Sequence, residues 1–103
     1  MSIYALTPLA KSDVFAIWSY IAQDDREIAD RVEQTIYQAC EFIAESPLTG
    51  HIRSDLTHRA LRFWTLPRYP NYMIVYRPET NPLEVIAILH GQRNLRRVLS
   101  GRH

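Results

Sequence analysis

The sequence contains only one cysteine and only one lysine. The shortage of cysteine limits disulfide and metal chemistry. Because Cys40 is alone, no internal disulfide can form, and we expect it to be a buried small apolar residue. A zinc site would therefore need histidine and carboxylate ligands. The histidines show no short ligand spacing, so we predict neither a metal site nor a cofactor. They are His51, His58, His90 and His103.

Long apolar runs are also missing. No stretch approaches the roughly 20 residues that a membrane-spanning helix needs. The N-terminus has neither a basic region nor a long apolar stretch, so we expect no signal peptide and a cytoplasmic location. The chain has 103 residues, of which 47% are apolar. We therefore expect a single globular domain over residues 1–103, with no membrane association.

Charge is divided unevenly along the chain. Residues 1–50 carry three basic and eight acidic side chains, a formal net charge of −5. Residues 51–103 carry nine arginines, no lysine and three acidic side chains, a net charge of +6. Arginine pairs with carboxylates and phosphates through a planar fork, so a lysine-free basic half favours specific contacts. The alternative is an ordinary solvated surface.

The first half has the pattern of two helices after a short strand at 2–6. Thr7 can cap a helix that starts at Pro8, and apolar residues at helical spacing extend it to residue 22. Asp24 or Asp25 can cap a second helix, which Ser46 and the following proline end. Because the connection is short, we expect the helices to form an antiparallel hairpin.

The second half has the pattern of three strands. Residues 51–59 are polar and indicate a surface loop. Strands are predicted at 60–66, 72–77 and 83–90, and a short helix at 95–99. The last strand is apolar on both faces, which is typical of a central strand. Its short connections require antiparallel pairing. We therefore predict a two-layer α+β fold of order β-α-α-β-β-β, with the helix hairpin on one face of the sheet.

Residues 90–93, at the end of the predicted central strand, form the clearest candidate site. His90 has the chemistry of a general acid or base near neutral pH, and Arg93 that of a phosphate or carboxylate ligand. The alternative is structural: His90 fills the end of the strand and Arg93 pairs with a helix carboxylate.

Arginines and aromatics on the strands form a second candidate. Period-two alternation places Arg62 and Trp64 on one face, and four arginines could cluster on one sheet surface. These are Arg59, Arg62, Arg68 and Arg77. With nearby aromatics they would suit RNA or an acidic peptide. The alternative is that the aromatics pack in the core and the arginines are solvated.

An ordered set of short motifs resembles a known family. They are LTPLAKSD at 6–13, IWSYI at 17–21, ADR at 29–31, ESPLTG at 45–50, RYP at 68–70, IVYR at 74–77 and ILHGQR at 88–93. In this order and spacing they resemble the RelE/ParE toxin superfamily of bacterial type II toxin–antitoxin modules. The resemblance implies a helix hairpin against a mostly antiparallel sheet.

The two branches of the superfamily imply different activities. ParE-like members inhibit DNA gyrase, whereas RelE-like members are ribosome-dependent endoribonucleases that cut mRNA. The segment around Trp18, the 47–50 turn and the 90–93 ending resemble the ParE branch, and the lack of lysines weakens the nuclease alternative. We therefore expect a gyrase inhibitor without enzymatic activity. If the chain is instead a nuclease, the candidates are His90, Arg62, Arg77 and Arg93. A third possibility is a non-toxic relative that still binds its antitoxin.

Either branch implies a cognate antitoxin, bound in a hetero-oligomer. In the superfamily the C-terminal part of the antitoxin is disordered alone and folds over the toxin. Acidic antitoxin side chains would meet basic residues of this chain in charge-assisted contacts. The expected partner-binding residues are Arg59, Arg62, Arg68, Tyr69, Arg77, His90 and Arg93.

Overall fold

A four-stranded sheet carries a pair of helices on one face and a short helix on the other. The architecture is that of a computed structural model, which describes residues 3–91 and 95–102. The elements are β1 (Tyr4–Leu6), α1 (Pro8–Ala22), α2 (Arg26–Glu45), a 3-10 turn (Pro47–Thr49), β2 (Arg62–Thr65), β3 (Tyr72–Arg77), β4 (Leu83–His90) and α3 (Leu95–Ser100). This confirms the predicted α+β class and element order, including the terminal helix.

Local capping fixes where the two long helices begin. The Thr7 hydroxyl accepts a hydrogen bond from the Ala10 amide at 3.1 Å, and Pro8 occupies the first helical position. At the start of α2, the Asp25 carboxylate accepts from the Ile28 amide at 3.1 Å. Both starts agree with the sequence prediction, because capping depends on residues only three positions apart.

The strands lie in the order β1-β4-β3-β2. The pairs β2–β3 and β3–β4 are antiparallel, as their short connections predicted. β1 pairs in parallel with β4, so the sheet is mixed. The intervening helices make this possible, since parallel strands need a long crossover connection. β4 is therefore a central strand.

Apolar clusters cover both faces of the sheet. Six of the eight residues of β4 are buried, which confirms the prediction of a strand covered on both sides. One cluster lies under the hairpin and includes Val14, Val32, Ile36, Ile43, Ile74, Tyr76, Val85 and Ile88. The other lies under α3, with Leu56 of the irregular segment 51–59 packed against it, and includes Leu61, Phe63, Val75, Ile86, Leu89, Leu95 and Leu99.

β4 has one extra residue in its pairing with β3. Tyr76 pairs with Val85 and Val75 pairs with Ala87, which leaves Ile86 without a partner on β3. The Ile86 carbonyl accepts hydrogen bonds from side chains instead: from the Thr7 hydroxyl at 3.4 Å and from Arg102 at 3.0 Å. Since β1 ends before this point, side chains rather than a strand cover this part of the β4 edge.

The remaining segments match the prediction with small differences. Residues 51–59 are irregular, although His51 exchanges two backbone hydrogen bonds with Phe63, at 2.7 and 2.8 Å. β2 is shorter than the predicted strand at 60–66, and β1 begins at Tyr4 rather than residue 2. Within the described ranges, no helix combines the length and apolar character needed to cross a bilayer.

Candidate functional site

Arg62 holds the turn that follows α2. Its guanidinium donates to the Gly50 carbonyl at 2.8 Å and to the Leu48 carbonyl at 3.3 Å. Beside it, the Tyr76 hydroxyl donates to the Pro47 carbonyl at 2.6 Å and accepts from the Gly50 amide at 2.9 Å. Burial raises the pKa of Tyr76, so the phenol keeps its proton and remains a donor. These contacts fix the turn against the sheet.

Arg59 and Arg77 also have partners within the chain. The Arg59 guanidinium donates to the Leu99 carbonyl at 3.1 Å, on the α3 side of the sheet. Arg77 pairs with Glu84 on the neighbouring strand, with 2.7 Å between Nε and Oε1. The predicted cluster of four arginines on one surface is therefore wrong, because these side chains reach different elements.

His90 lines a cavity of about 430 Å³ between α1 and the end of β4. We call it the His90 pocket; its walls include Asp13, Ile17, Tyr20, Tyr72 and His90. The imidazole lies edge-on to the Tyr72 ring, with 5.4 Å between centroids and 84° between planes. The side chain thus fills the strand end and also borders a cavity. The proposed companion Arg93 lies outside the described residues.

The remaining nuclease candidates do not converge. His90 pairs with Tyr72 at one end of β3, whereas Arg77 is the last residue of that strand. Arg62 pairs with Tyr76, near the same end as Arg77. At about 3.3 Å per residue, about 13 Å of strand separates the position of His90 from that of Arg62, and about 17 Å separates it from that of Arg77. The guanidinium groups of Arg62 and Arg77 also bond to groups of this chain at that end of the sheet, so the three side chains do not meet at one phosphodiester.

Arg68 and Tyr69 line a second cavity, of about 600 Å³, between α2 and the β2–β3 turn. We call it the α2 groove; the residues that define it are Arg31, Phe42, Trp64, Arg68 and Tyr69. The rings of Phe42 and Trp64 contact each other, with 5.5 Å between centroids. Two of the seven predicted partner-binding residues thus lie at one site with aromatic side chains.

Two residues of the α2 groove, Arg31 and Phe42, were not predicted as site residues from the sequence. Phe42 is 47% exposed, although it adjoins the buried stripe of α2. The sequence places this aromatic residue one position outside the apolar stripe of α2, and such a position predicts an exposed apolar side chain that can bind a partner. Arg31 gave no such signal, because its place in the same cavity as Arg68 depends on how α2 packs against the sheet.

Metal ligation and thiol chemistry have little support in the described part of the chain. There, no three His, Cys, Asp or Glu side chains are grouped as metal ligands would be. Cys40 is fully buried in the core, as predicted. Burial, and to a lesser degree the charge of Glu41, raises its pKa from 9.0 to about 12, so the thiol remains protonated near neutral pH.

The chain is similar to known proteins in both sequence and fold. The sequence model of the family described as "ParE toxin of type II toxin-antitoxin system, parDE" matches residues 4–95. A solved structure described as "Chromosomal ParDE TA system from P. aeruginosa" is similar in fold, with a TM-score of 0.71 and 21% identity over 87% of this chain and 96% of that chain. No curated protein matches. Because the family match spans nearly the whole chain, it confirms the predicted branch of the superfamily: the chain belongs to the ParE toxin family of type II toxin–antitoxin systems.

Proposed function

We propose that the chain is a toxin that stops growth by binding DNA gyrase and is neutralised by a cognate antitoxin. The observation that carries the gyrase assignment over the nuclease alternative is the dispersal of the nuclease candidates. Acid–base cleavage of RNA needs a proton acceptor and phosphate-binding cations within reach of one bond. Arg62 and Arg77 instead bind carbonyl and carboxylate groups of this chain, about 13 and 17 Å along the strand from His90.

Gyrase inhibition by this family member would then depend on protein–protein contact. The chain has large apolar side chains on its surface that suit such contact. On α1, Phe15 is 70% exposed and Tyr20 is 72% exposed, and Leu48 in the 3-10 turn is 70% exposed. Protein partners bury side chains of this kind at the centre of an interface.

Neutralisation by an antitoxin agrees with the basic second half. Arg68 and Tyr69, predicted as partner-binding residues, border the α2 groove. Among the ion pairs of the described residues, none includes Arg68, so its guanidinium can meet an acidic partner without breaking an internal bond. Family membership implies that such a partner exists.

Expression of the chain alone, followed by a gyrase assay, tests the proposal. Induction should arrest growth, and co-expression of the neighbouring gene's product should restore it. Purified protein should reduce supercoiling of relaxed plasmid by gyrase. If supercoiling is unchanged at concentrations that stop growth, gyrase is not the target. If growth is unaffected, the chain is a non-toxic relative.

The nuclease alternative keeps one supporting observation, which is the position of His90 on the wall of a cavity. Mapping mRNA ends on ribosomes after induction tests it. We expect no new cleavage sites. New sites that disappear in a His90→Gln variant would instead identify the chain as a nuclease, with His90 in its site.

A further inference from the structure

We propose that the α2 groove binds a short acidic peptide segment. An apolar side chain of the segment would lie between Phe42, Trp64 and Tyr69, and its carboxylates would meet Arg31 and Arg68. The inference deepens the proposed function, since an antitoxin would provide such a segment. The experiment below uses neither the antitoxin nor gyrase, so it can fail independently of that function.

The groove has the size and surface of a side-chain receptor. Its volume is about 600 Å³, and the half-exposed Phe42 ring lies against Trp64 on its wall. Aromatic side chains present a large apolar surface and have few rotatable bonds. They therefore lose little conformational entropy when they bury an apolar side chain of a peptide. The apolar part of the site thus fits one anchor residue.

Charge determines which segment fits. The described residues that line the groove include two arginines and no carboxylate. The carboxylate of Glu27 is 4.0 Å from Arg31, and both side chains are largely exposed, so that pair is weak. Arg68 has no ion pair among the described residues. Four other arginines donate instead to backbone carbonyls; they are Arg59, Arg62, Arg96 and Arg102.

The backbone at Arg68 is a second observation that points to a site. Arg68 has a φ of 70°, and among the described residues no other non-glycine has a positive φ. It follows Pro67 in a turn closed by the Tyr69 amide on the Leu66 carbonyl at 3.3 Å. A proline followed by a positive φ defines a type II turn, whose third position favours glycine. An arginine there is strained, and such strain concentrates at binding sites.

Trp64 provides a third observation. Its indole Nε1 is buried and has no hydrogen-bond acceptor among the described residues. The indole N–H is a donor only, and leaving a buried donor unpaired is unfavourable. Neighbouring atoms cover it in the free chain. An acceptor on a bound segment reaches it only after a covering side chain moves. A segment that docks against the Phe42 and Trp64 rings changes the surroundings of this indole, so its resonance should report on docking.

A selection with an unbiased library tests the proposal. A phage library of random dodecapeptides would be selected on the immobilised full-length chain. The consensus peptide would then be synthesised together with an isostere in which Gln and Asn replace Glu and Asp. Affinities would be measured for the wild type, R31E/R68E and the milder R31Q/R68Q. K11E/R26E is the matched control, because it changes the net charge by the same amount outside the groove.

We expect acidic peptides with an apolar anchor to be selected. The acidic form should bind at least about tenfold more tightly than its isostere, which corresponds to two or three charge-assisted contacts. R31E/R68E should lose at least about tenfold in affinity, R31Q/R68Q should lose less, and K11E/R26E should stay within about twofold. In ¹⁵N spectra the Trp64 indole resonance should shift. The Trp18 indole, which donates to Asp30 at 2.8 Å, should not.

Four results would overturn the proposal. They are a selection that yields no binding peptide, a consensus without acidic enrichment, equal binding to R31Q/R68Q and wild type, and a shift confined to the Trp18 indole. Circular dichroism of each variant establishes that it is folded, and R31Q/R68Q keeps the comparison valid if the charge reversal disturbs the fold.

Discussion

Asp13 and Arg102, which are 89 residues apart, form an ion pair with two hydrogen bonds at the open part of the β4 edge. The guanidinium nitrogens lie 2.8 and 2.9 Å from the two carboxylate oxygens. The same pair satisfies two backbone groups of β4, because Asp13 accepts from the Ile88 amide and Arg102 donates to the Ile86 carbonyl. The last described residue of the chain thus closes the strand edge against α1.

Loss of either side chain should therefore destabilise the fold. The Arg102 and Asp13 side chains are only 12% and 18% exposed. Removal of one leaves the other without its partner and uncovers a backbone group, which should lower the free energy of unfolding by about 2 kcal/mol. We expect this for Arg102→Ala and Asp13→Ala in urea unfolding. The double variant should lose much less than the sum, because the two residues act as a unit.

The Arg53–Asp55 pair provides the control. It also has two hydrogen bonds, at 2.9 and 2.8 Å, but its side chains are 39% and 61% exposed. Arg53→Ala should cost less than about 1 kcal/mol, as is typical of solvated pairs. Equal losses at both sites would show that the position of Arg102 at the strand edge contributes nothing.

Gly50 is required by the close approach of Tyr76 rather than by backbone conformation. A Cβ atom at Gly50 would lie 2.5 Å from the Tyr76 hydroxyl oxygen and 2.9 Å from a ring carbon. Tyr76 is fully buried and bonded to the turn, so it cannot move away cheaply. Gly50→Ala should therefore lower the free energy of unfolding by about 2 kcal/mol, measured in urea.

Gly101→Ala is the matched control for this substitution. Among residues 3–91 and 95–102, its Cβ would meet nothing nearer than the Val98 carbonyl oxygen at 3.7 Å, which is an ordinary contact. We expect a change within about 0.5 kcal/mol. If Gly50→Ala were equally neutral, the packing of Tyr76 against the turn would be looser than its two hydrogen bonds imply.

The fold was largely predictable because its signals are local. Thr7, Pro8 and Asp25 determine helix starts through residues three positions away, and the short connections after β2 and β3 require antiparallel pairing. The position of β1 beside β4 was not predictable. Three residues with no short connection to any strand can join either edge of a sheet, and only packing of the hairpin selects one.

The candidate site was less predictable for the same reason. Arg62 and Trp64 share a face, as alternation implies, but the bonds from Arg62 to the 3-10 turn depend on how the chain returns after α2. Arg59 likewise binds a carbonyl 40 residues away. The composition predicted that the arginines make specific contacts. It could not indicate that several of them, such as Arg59 and Arg62, would contact carbonyl groups of this same chain.

The buried thiol gives the chain a predictable response to alkaline pH. In the unfolded state Cys40 ionises near its ordinary pKa of 9.0, whereas in the fold its pKa is about 12. Between these values the unfolded state releases a proton that the folded state keeps. The stabilising effect is complete below pH 9 and is lost as the pH rises toward 12.

Urea unfolding under reducing conditions at pH 8, 9 and 10 measures this effect, with the steepest loss between the last two values. Over that unit the wild type should lose about 1 kcal/mol more than Cys40→Ala does. Burial also raises the pKa values of Tyr4, Tyr37 and Tyr76, but these add to the loss mainly above pH 10. Parallel curves for the two proteins would contradict the assignment to Cys40.

Arg68 should affect both stability and binding. Its backbone has a strained positive φ, and its guanidinium is proposed to bind the acidic segment in the α2 groove. Replacement by glycine should relieve the positive φ and raise the free energy of unfolding by about 0.5–1 kcal/mol. Arg68→Ala keeps the strain and should leave stability unchanged. Both variants should bind the selected acidic peptide more weakly than the wild type, since both lack the guanidinium. If Arg68→Gly gained stability and also kept full peptide affinity, the strain would serve no role in the α2 groove.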